Sequence, residues 1–231
     1  MSKPRLLLFD IDGTLLDTRG SGLGALLDAA EEVFGVPRDS LPPLDLAGAT
    51  DGGVVRKLFS DAGLPMTEEH AQRYRDSYLG HLKRRLHADV FAGRLLPAVE
   101  ELLAALGKHD HVHLGLLTGN LRIGAGYKLK RFLIDHHFID GAFGDDAEDR
   151  NLLGPIAVER MTKARGHPFV VEEVIVIGDT PKDIACARAL GARCLGVATG
   201  AFGVHHLSPH APWQCLVDFT ETERVVELLV K

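Results

Sequence analysis

Four short runs of apolar residues constrain the fold of this chain more than any other feature of its sequence. They occupy residues 6–9, 112–117, 174–177 and 194–197. Their hydrophobicity is continuous rather than alternating, which is typical of parallel strands that helices cover on both faces. Amphipathic stretches separate the last three runs, and an alternation of strands and helices favours a doubly wound parallel sheet. We therefore predict an α/β fold.

Residues 18–91 interrupt this alternation, because they contain no strand-like run. Helices are predicted there at about residues 23–34, 53–62 and 67–86. Thr67, followed by two glutamates, marks a strong helix start, with a capping side chain and acids at the positive end of the helix dipole. A block of helices between the first two strands indicates an inserted domain. The predicted domains are a core of residues 1–17 and 92–231 and an all-helical insert of residues 18–91.

The composition is that of an ordinary globular protein. Charged residues make up 25% and hydrophobic residues 45% of the 231 residues, a balance that argues against disorder. A net charge of -6 without any basic run gives no electrostatic reason to bind nucleic acid. No apolar run approaches the roughly 18 residues that span a bilayer, and three cysteines form no disulfide framework. We expect a cytoplasmic protein with no nucleic-acid or membrane partner.

The first apolar run leads directly into two acids, Asp10 and Asp12. In an open α/β sheet, ligands bind in the crevice beyond the carboxyl ends of the strands. Two carboxylates placed there repel each other unless they are hydrated, shifted in pKa or bound to a cation. Oxygen ligands favour Mg2+ or a similarly hard ion. The alternative is a solvated turn in which one of the two acids caps a helix.

Two other predicted strands also end in polar residues. The second run leads into Thr118, Gly119 and Asn120, which offer a hydroxyl and a free backbone N–H to an anion, although Thr-Gly is also common in turns. The third run leads into a segment that contains Asp179 and Asp183. Because these strands end at the same edge of one sheet, four acids and one hydroxyl are expected to form a single site.

In this order, and with helices inserted after the first, the three signatures resemble the haloacid dehalogenase superfamily. Within it they are most similar to the phosphoglycolate-phosphatase-like members that carry a helical cap. Residues 10–15, Asp-Ile-Asp-Gly-Thr-Leu, match the first motif of the family at every defined position, and residues 178–183, Gly-Asp-Thr-Pro-Lys-Asp, match the fourth. The likeness covers essentially the whole chain. It implies a Rossmann-like doubly wound core, with the helical insert as the cap domain.

The resemblance also implies a reaction. Asp10 would attack phosphorus and form an aspartyl-phosphate, and Asp12 would protonate the leaving group and then deprotonate the attacking water. Mg2+ would be held by Asp10, the Asp12 carbonyl and Asp179, with Asp183 as a ligand directly or through water. The ion would offset the repulsion between the nucleophile and the phosphate.

The phosphate-binding group implied by the resemblance consists of Thr118, the Gly119 N–H, Asn120 and a basic residue. The third motif departs from the family pattern, in which a Lys is usual. Matching the proline after it places Arg150 at that position, and Arg keeps the charge with a planar fork suited to phosphate. Lys128 is the rival. On a helix that starts near Asn120 it would lie about eight residues, or roughly 12 Å, from the site, so Arg150 is preferred.

Three residues of the predicted cap are candidates for substrate contacts. Thr50 and Asp51 lie in a glycine-rich stretch that resembles the loop that related enzymes lower over the substrate, and Arg56 follows one turn later. These residues would contact the leaving group or a substrate anion. The alternative for Thr50 and Asp51 is an ordinary helix cap.

We therefore expect a Mg2+-dependent phosphatase that hydrolyses a small phosphorylated metabolite, either phosphoglycolate-like or a sugar phosphate. A phosphomutase of the same family is the alternative within this chemistry. From another class, the alternative is a non-catalytic phospho-acceptor domain or a scaffold without activity. The acids and the helical insert argue against this reading, because receiver domains are about half this length and carry no cap.

Overall fold

The computed structural model of the chain describes residues 3–38, 47–61, 63 and 66–231. Within them the strands are β1 (Arg5–Phe9), β2 (Leu16–Asp17), β3 (Arg94–Leu95), β4 (Val112–Leu117), β5 (Gly141–Ala142), β6 (Val174–Gly178), β7 (Arg193–Val197) and β8 (Gln214–Leu216). The helices are α1 (Ser21–Phe34), α2 (Asp51–Asp61), α3 (Glu68–Leu86), α4 (Val99–Leu106), α5 (Arg122–Arg131), α6 (Leu153–Arg165), α7 (Pro181–Leu190), α8 (Val204–Leu207) and α9 (Thr222–Val230). None of the helices in these ranges is long and apolar enough to cross a membrane.

Six parallel strands form the main sheet, in the order β5-β4-β1-β6-β7-β8. The four strands predicted from the apolar runs are its central four, and their bounds agree with the prediction to within one residue. The edge strands β5 and β8 were not predicted. They contain only two and three residues, so neither can show a continuous apolar run.

Both faces of the sheet are covered, as the continuous hydrophobicity requires. Leu7 and Phe9 of β1 pack in a core with α4, α5 and α9. Leu6 and Leu8 point to the opposite face and pack in a second core with α6 and α7. Every residue of β1 is buried. The predicted doubly wound α/β fold is confirmed.

The three predicted helices of the insert pack on one another around a third apolar cluster. Leu26 of α1, Phe59 of α2 and Tyr74 of α3 are buried in it. Thr67 caps α3 as predicted, since its hydroxyl accepts a hydrogen bond from the His70 backbone N–H at 3.2 Å. The second helix ends at Asp61, and residue 62, where the sequence predicts its end, lies outside the described residues.

A two-stranded antiparallel ribbon lies where the chain leaves the sheet for these helices and where it returns. β2 pairs with β3, with Leu16 opposite Leu95 and Asp17 opposite Arg94. The two connections to the helical insert therefore lie side by side. Neither strand was predicted from the sequence, because each contains two residues.

The burial of β1 predicts that the central strand is sensitive to small losses of volume. We expect Leu8→Ala to lower the free energy of unfolding by about 2–5 kcal/mol, because it leaves a cavity between packed layers. Val90→Ala, at a side chain that is 89% exposed, should change it by less than about 0.5 kcal/mol. Urea unfolding of both variants measures this difference. Equal losses would contradict the assignment of β1 to the core.

Candidate active site

The candidate site lies at the carboxyl ends of three adjacent strands. Asp10 follows β1, Thr118 follows β4 and Asp179 follows β6, and these strands are neighbours in the sheet. Their ends open on a cavity of about 550 Å3, which the helical insert also lines. The predicted site residues that line the cavity are Asp10, Asp12, Asp51, Thr118, Gly119, Asn120, Arg150 and Asp179, and the rival Lys128 lines it as well.

Two acids that line this cavity form a cluster with a third, fully buried acid, Asp183, which does not line it. Oxygens of Asp10, Asp179 and Asp183 lie within 4.8 Å of one another, and all three residues are buried. Burial raises the pKa of Asp10 to about 6, against the opposing effect of Arg150. Burial also raises the pKa of Asp179 to about 8, and the charges of Asp183 and Asp10 act in the same direction. A hard cation with oxygen ligands would relieve this repulsion, so the cluster fits Mg2+.

Arg150 supplies positive charge to the same cluster. Its Nη2 lies 3.3 Å from Asp10 Oδ1 and also donates to Asp183 Oδ1. Although burial alone lowers the pKa of Arg150, the adjacent Asp183 and Asp10 outweigh it and raise that pKa. The other oxygen of Asp183 accepts from the Thr180 backbone N–H at 2.9 Å and from its hydroxyl at 2.6 Å. Asp183 thus holds both Arg150 and the start of α7.

Lys128 reaches the site. Its Nζ donates to Asp12 Oδ2 at 2.6 Å and to Asn120 Oδ1 at 2.5 Å. The side chain makes the long reach that the sequence implied, for two physical reasons. α5 begins at Arg122, which places Lys128 only six residues into the helix. In addition, long side chains on a helix point back toward its N-terminus.

Thr118 and Asn120 connect the two sides of the cavity. Thr118 is fully buried, and its hydroxyl lies close enough to Asp10 to lower the pKa of that carboxyl, against the effect of burial. Asn120 Nδ2 donates to Thr118 Oγ1 at 2.8 Å and to Asp12 Oδ2 at 2.8 Å. Gly119 lies between them, directly beneath the insert. A Cβ atom there would overlap the carbonyl oxygen of Ala49, so the close approach requires glycine.

The three candidates from the insert are placed differently. Asp51 lines the cavity, where its Oδ2 accepts from the Leu121 backbone N–H at 2.9 Å and from the Tyr78 hydroxyl at 3.2 Å. Burial raises the pKa of Asp51 to about 6. Thr50 and Arg56 are not among the described residues that line the cavity.

Thr50 and Arg56 instead attach the insert to the core through Glu148. Thr50 Oγ1 donates to the Glu148 carbonyl oxygen at 2.7 Å and accepts from the Gly53 N–H, as a helix-capping side chain does. The Arg56 side chain is 62% exposed and forms an ion pair with the Glu148 carboxylate at 2.5 Å. This structure therefore does not bring Arg56 to the predicted substrate position, because its side chain points out of the cavity.

Sequence reasoning missed several residues around the acids. The Thr14 hydroxyl donates to Asp179 Oδ1 at 3.1 Å, and Tyr78 supports Asp51 from α3. Thr14 lies inside the first motif, residues 10–15, and this position is a sequence signal that it belongs to the site. Tyr78 gives no such signal, because a tyrosine at helical spacing indicates a core position.

Comparison with known proteins finds relatives over most of the chain. A model of the haloacid dehalogenase-like hydrolase family matches residues 7–188. The phosphoglycolate phosphatase of Photorhabdus laumondii is 28% identical over 200 residues, which cover 85% of this chain and 81% of that protein. A 5'-nucleotidase of Pseudomonas aeruginosa is 24% identical over 228 residues, which cover 96% of this chain and 95% of that protein.

The solved structures show the same fold. A hydrolase from Pseudomonas syringae superposes with a TM-score of 0.73 at 23% identity, covering 98% of this chain and 100% of that chain. The resemblance seen in the sequence is confirmed, since the family model matches residues 7–188, from within β1 to within α7, and this range includes every predicted site residue. The chain belongs to the haloacid dehalogenase-like hydrolase family.

Proposed function

We propose that this protein is a Mg2+-dependent phosphatase that hydrolyses a small phosphate monoester through an aspartyl-phosphate on Asp10. The observation that carries the proposal is the contrast between two carboxylates in one cavity. Asp10 is buried beside Arg150, whereas the Asp12 side chain keeps 42% of its surface exposed. A fixed, charge-compensated carboxylate suits a nucleophile, and an accessible one suits proton exchange.

The reaction would proceed in two steps, in which each residue has a distinct role. A carboxylate oxygen of Asp10 attacks phosphorus, and Asp12 donates its proton to the leaving oxygen, which departs as the alcohol. Asp12, now ionised, takes a proton from a water that attacks the aspartyl-phosphate. This second step releases inorganic phosphate and returns both acids to their starting forms. Thr118, the Gly119 N–H and Arg150 would bind the phosphate oxygens. The role expected for Asn120 in phosphate binding is not kept, because its amide already donates to Thr118 and Asp12.

The buried acids support the proposed metal. We assign Mg2+ to Asp10, Asp179 and the Asp12 carbonyl, with Asp183 beside them. When bound, the ion would offset the negative charge shared by the nucleophile and the phosphate. Both oxygens of Asp183 already accept hydrogen bonds from Arg150 and Thr180. This favours a role for Asp183 in holding those groups, with any contact to the ion passing through water.

We assign residues 18–91 to a cap domain that limits the substrate to a small phosphorylated metabolite. The cavity of about 550 Å3 lies within the range of small-molecule sites. Backbone and side-chain hydrogen bonds attach the insert to the core at Gly119 and Glu148. Relatives named phosphoglycolate phosphatase and 5'-nucleotidase support a phosphate monoester as the substrate class.

The nucleophile assignment is tested by hydrolysis of p-nitrophenyl phosphate. We expect turnover that requires Mg2+, stops with EDTA and falls by about 1,000-fold or more in Asp10→Asn, because the amide cannot form the aspartyl-phosphate. Asp110→Asn, at an exposed acid just before β4 and so at the opposite end of the sheet, is the matched control and should retain full activity.

Two outcomes would contradict this assignment. Activity that persists in Asp10→Asn would remove Asp10 as the nucleophile. A wild-type protein that neither hydrolyses the ester nor binds the phosphate mimic BeF3- at Asp10 would favour a scaffold without catalysis. Analysis of the products from a sugar phosphate separates the phosphatase from a phosphomutase, since only the phosphatase releases inorganic phosphate.

The raised pKa values predict how metal binding depends on pH. The pKa values of Asp10, about 6, and Asp179, about 8, lie above the ordinary 3.8. The metal-free folded state therefore binds more protons than the unfolded state, and its stability should fall as the pH rises from about 4 to 8. A metal ion must displace those protons, so Mg2+ affinity should tighten by up to about tenfold per pH unit between about 6 and 8.

Isothermal titration with Mg2+ at several pH values measures this effect. Asp179→Asn should weaken Mg2+ binding and flatten its pH dependence, because it removes both a ligand and the proton that the ion displaces. Asp110→Asn again serves as the control and should bind as the wild type does. A wild-type affinity that is the same at pH 6 and pH 8 would show that Asp179 does not titrate at the metal site.

A further inference from the structure

Lys128 is a buried cation that the proposed reaction does not use. Its side chain is only 4% exposed, although it arises from a helix that has a solvent-facing side. Burying an ammonium group is costly unless its charge and its hydrogen-bonding capacity are satisfied. Its Nζ is satisfied by Asp12 Oδ2 at 2.6 Å and by Asn120 Oδ1 at 2.5 Å. Both partners belong to the candidate site.

The contact between Lys128 and Asn120 sets the orientation of the Asn120 amide. An ammonium group only donates hydrogen bonds, so the Asn120 atom that faces Lys128 must be the carbonyl oxygen. The Nδ2 group is then directed to the other side, where it donates to Thr118 Oγ1 and to Asp12 Oδ2, both at 2.8 Å. Lys128 therefore determines which way Asn120 presents its donor.

The contact between Lys128 and Asp12 sets the orientation of the Asp12 carboxyl group. Its Oδ2 accepts hydrogen bonds from both Lys128 and Asn120. From the residues that the structure describes, its Oδ1 receives none, and 42% of the side chain stays exposed. One carboxyl oxygen is thus held by two donors, while the other is left for a reacting group in the cavity.

We propose that Lys128 is a positioning residue that, together with Asn120, orients the Asp12 carboxyl group for proton transfer. The inference rests on the proposed phosphatase function and adds a residue to it. It also gives the two basic residues of the site different roles. Arg150 lies against the nucleophile Asp10, whereas Lys128 lies against the acid–base group Asp12.

The leaving group provides a readout that a merely structural role would not affect. Phenolate is strongly basic and needs the proton of Asp12 to depart, whereas p-nitrophenolate is weakly basic and departs without it. General acid catalysis contributes typically about 10²–10⁴-fold where it is needed. The ratio kcat/KM reports the steps up to departure of the leaving group, so it isolates the first proton transfer from the later attack of water.

The experiment compares phenyl phosphate with p-nitrophenyl phosphate, two esters of nearly the same shape. In Lys128→Met, which keeps the length of the side chain and removes its charge, kcat/KM for phenyl phosphate should fall about 10–100-fold. The value for p-nitrophenyl phosphate should fall by less than about threefold. Lys130→Met, at an exposed lysine of the same helix, is the matched control and should change neither value.

A second variant keeps the test decisive if Lys128→Met does not fold. Lys128→Arg retains the charge but not the geometry of the ammonium group, and it should show the same selective loss for phenyl phosphate with a smaller magnitude. Asp12→Asn should show a larger selective loss, because it removes the proton itself.

Other results would overturn the proposal. Equal losses for both esters would assign Lys128 a structural role, and a rise in KM alone would make it a phosphate-binding residue. The wild-type protein and Asp10→Asn distinguish this failure from a failure of the proposed function. If the wild type hydrolyses neither ester, the phosphatase assignment falls and the role of Lys128 with it. If the wild type hydrolyses both and the selectivity is absent, only the role of Lys128 falls.

Discussion

Repulsion among three buried carboxylates is the constraint on which the rest of the site depends. Asp10, Asp179 and Asp183 are brought together because β1 and β6 are parallel neighbours that end at the same edge of the sheet. Isolated charges in such a place would be strongly unfavourable. Arg150 compensates part of the negative charge, and burial, together with the charges of the neighbouring acids, raises the pKa values of Asp10 and Asp179. A bound cation would relieve the remaining repulsion, which is the physical basis of the proposed metal site.

The fold can hold this unfavourable cluster because the acids follow rigid elements. β1 and β6 are buried along their whole length, so their ends cannot move apart without disrupting the core. Asp183 is fixed by a capping box with Thr180 at the start of α7. The same box directs Asp183 toward Arg150. Stability gained in the apolar core and at one helix terminus thus offsets the cost of burying these three acids together.

The sequence predicted what depends on local pattern and missed what depends on side-chain direction. The central strands carry continuous apolar runs, and the acids that follow them had to meet at one edge, so both could be predicted. The position of Lys128 along the helix axis did not predict where its ammonium group lies, because the side chain points back toward the helix start. Arg56 lies away from the cavity in this structure for a related reason. Its position in the sequence does not say which face of α2 turns to the cavity, and its partner Glu148 is 92 residues away.

The contact between the insert and the core also shapes the proposed phosphate-binding loop. The Asp51 backbone N–H donates to the Gly119 carbonyl oxygen at 2.7 Å, and a Cβ on Gly119 would overlap Ala49. The same Asp51 accepts from the Leu121 N–H at the start of α5, the helix that carries Lys128. The insert therefore holds the segment that contains Thr118 and Asn120, together with the start of the helix that carries Lys128. A helical insert attached in this way does more than cover the cavity, because its position fixes the residues that orient Asp12.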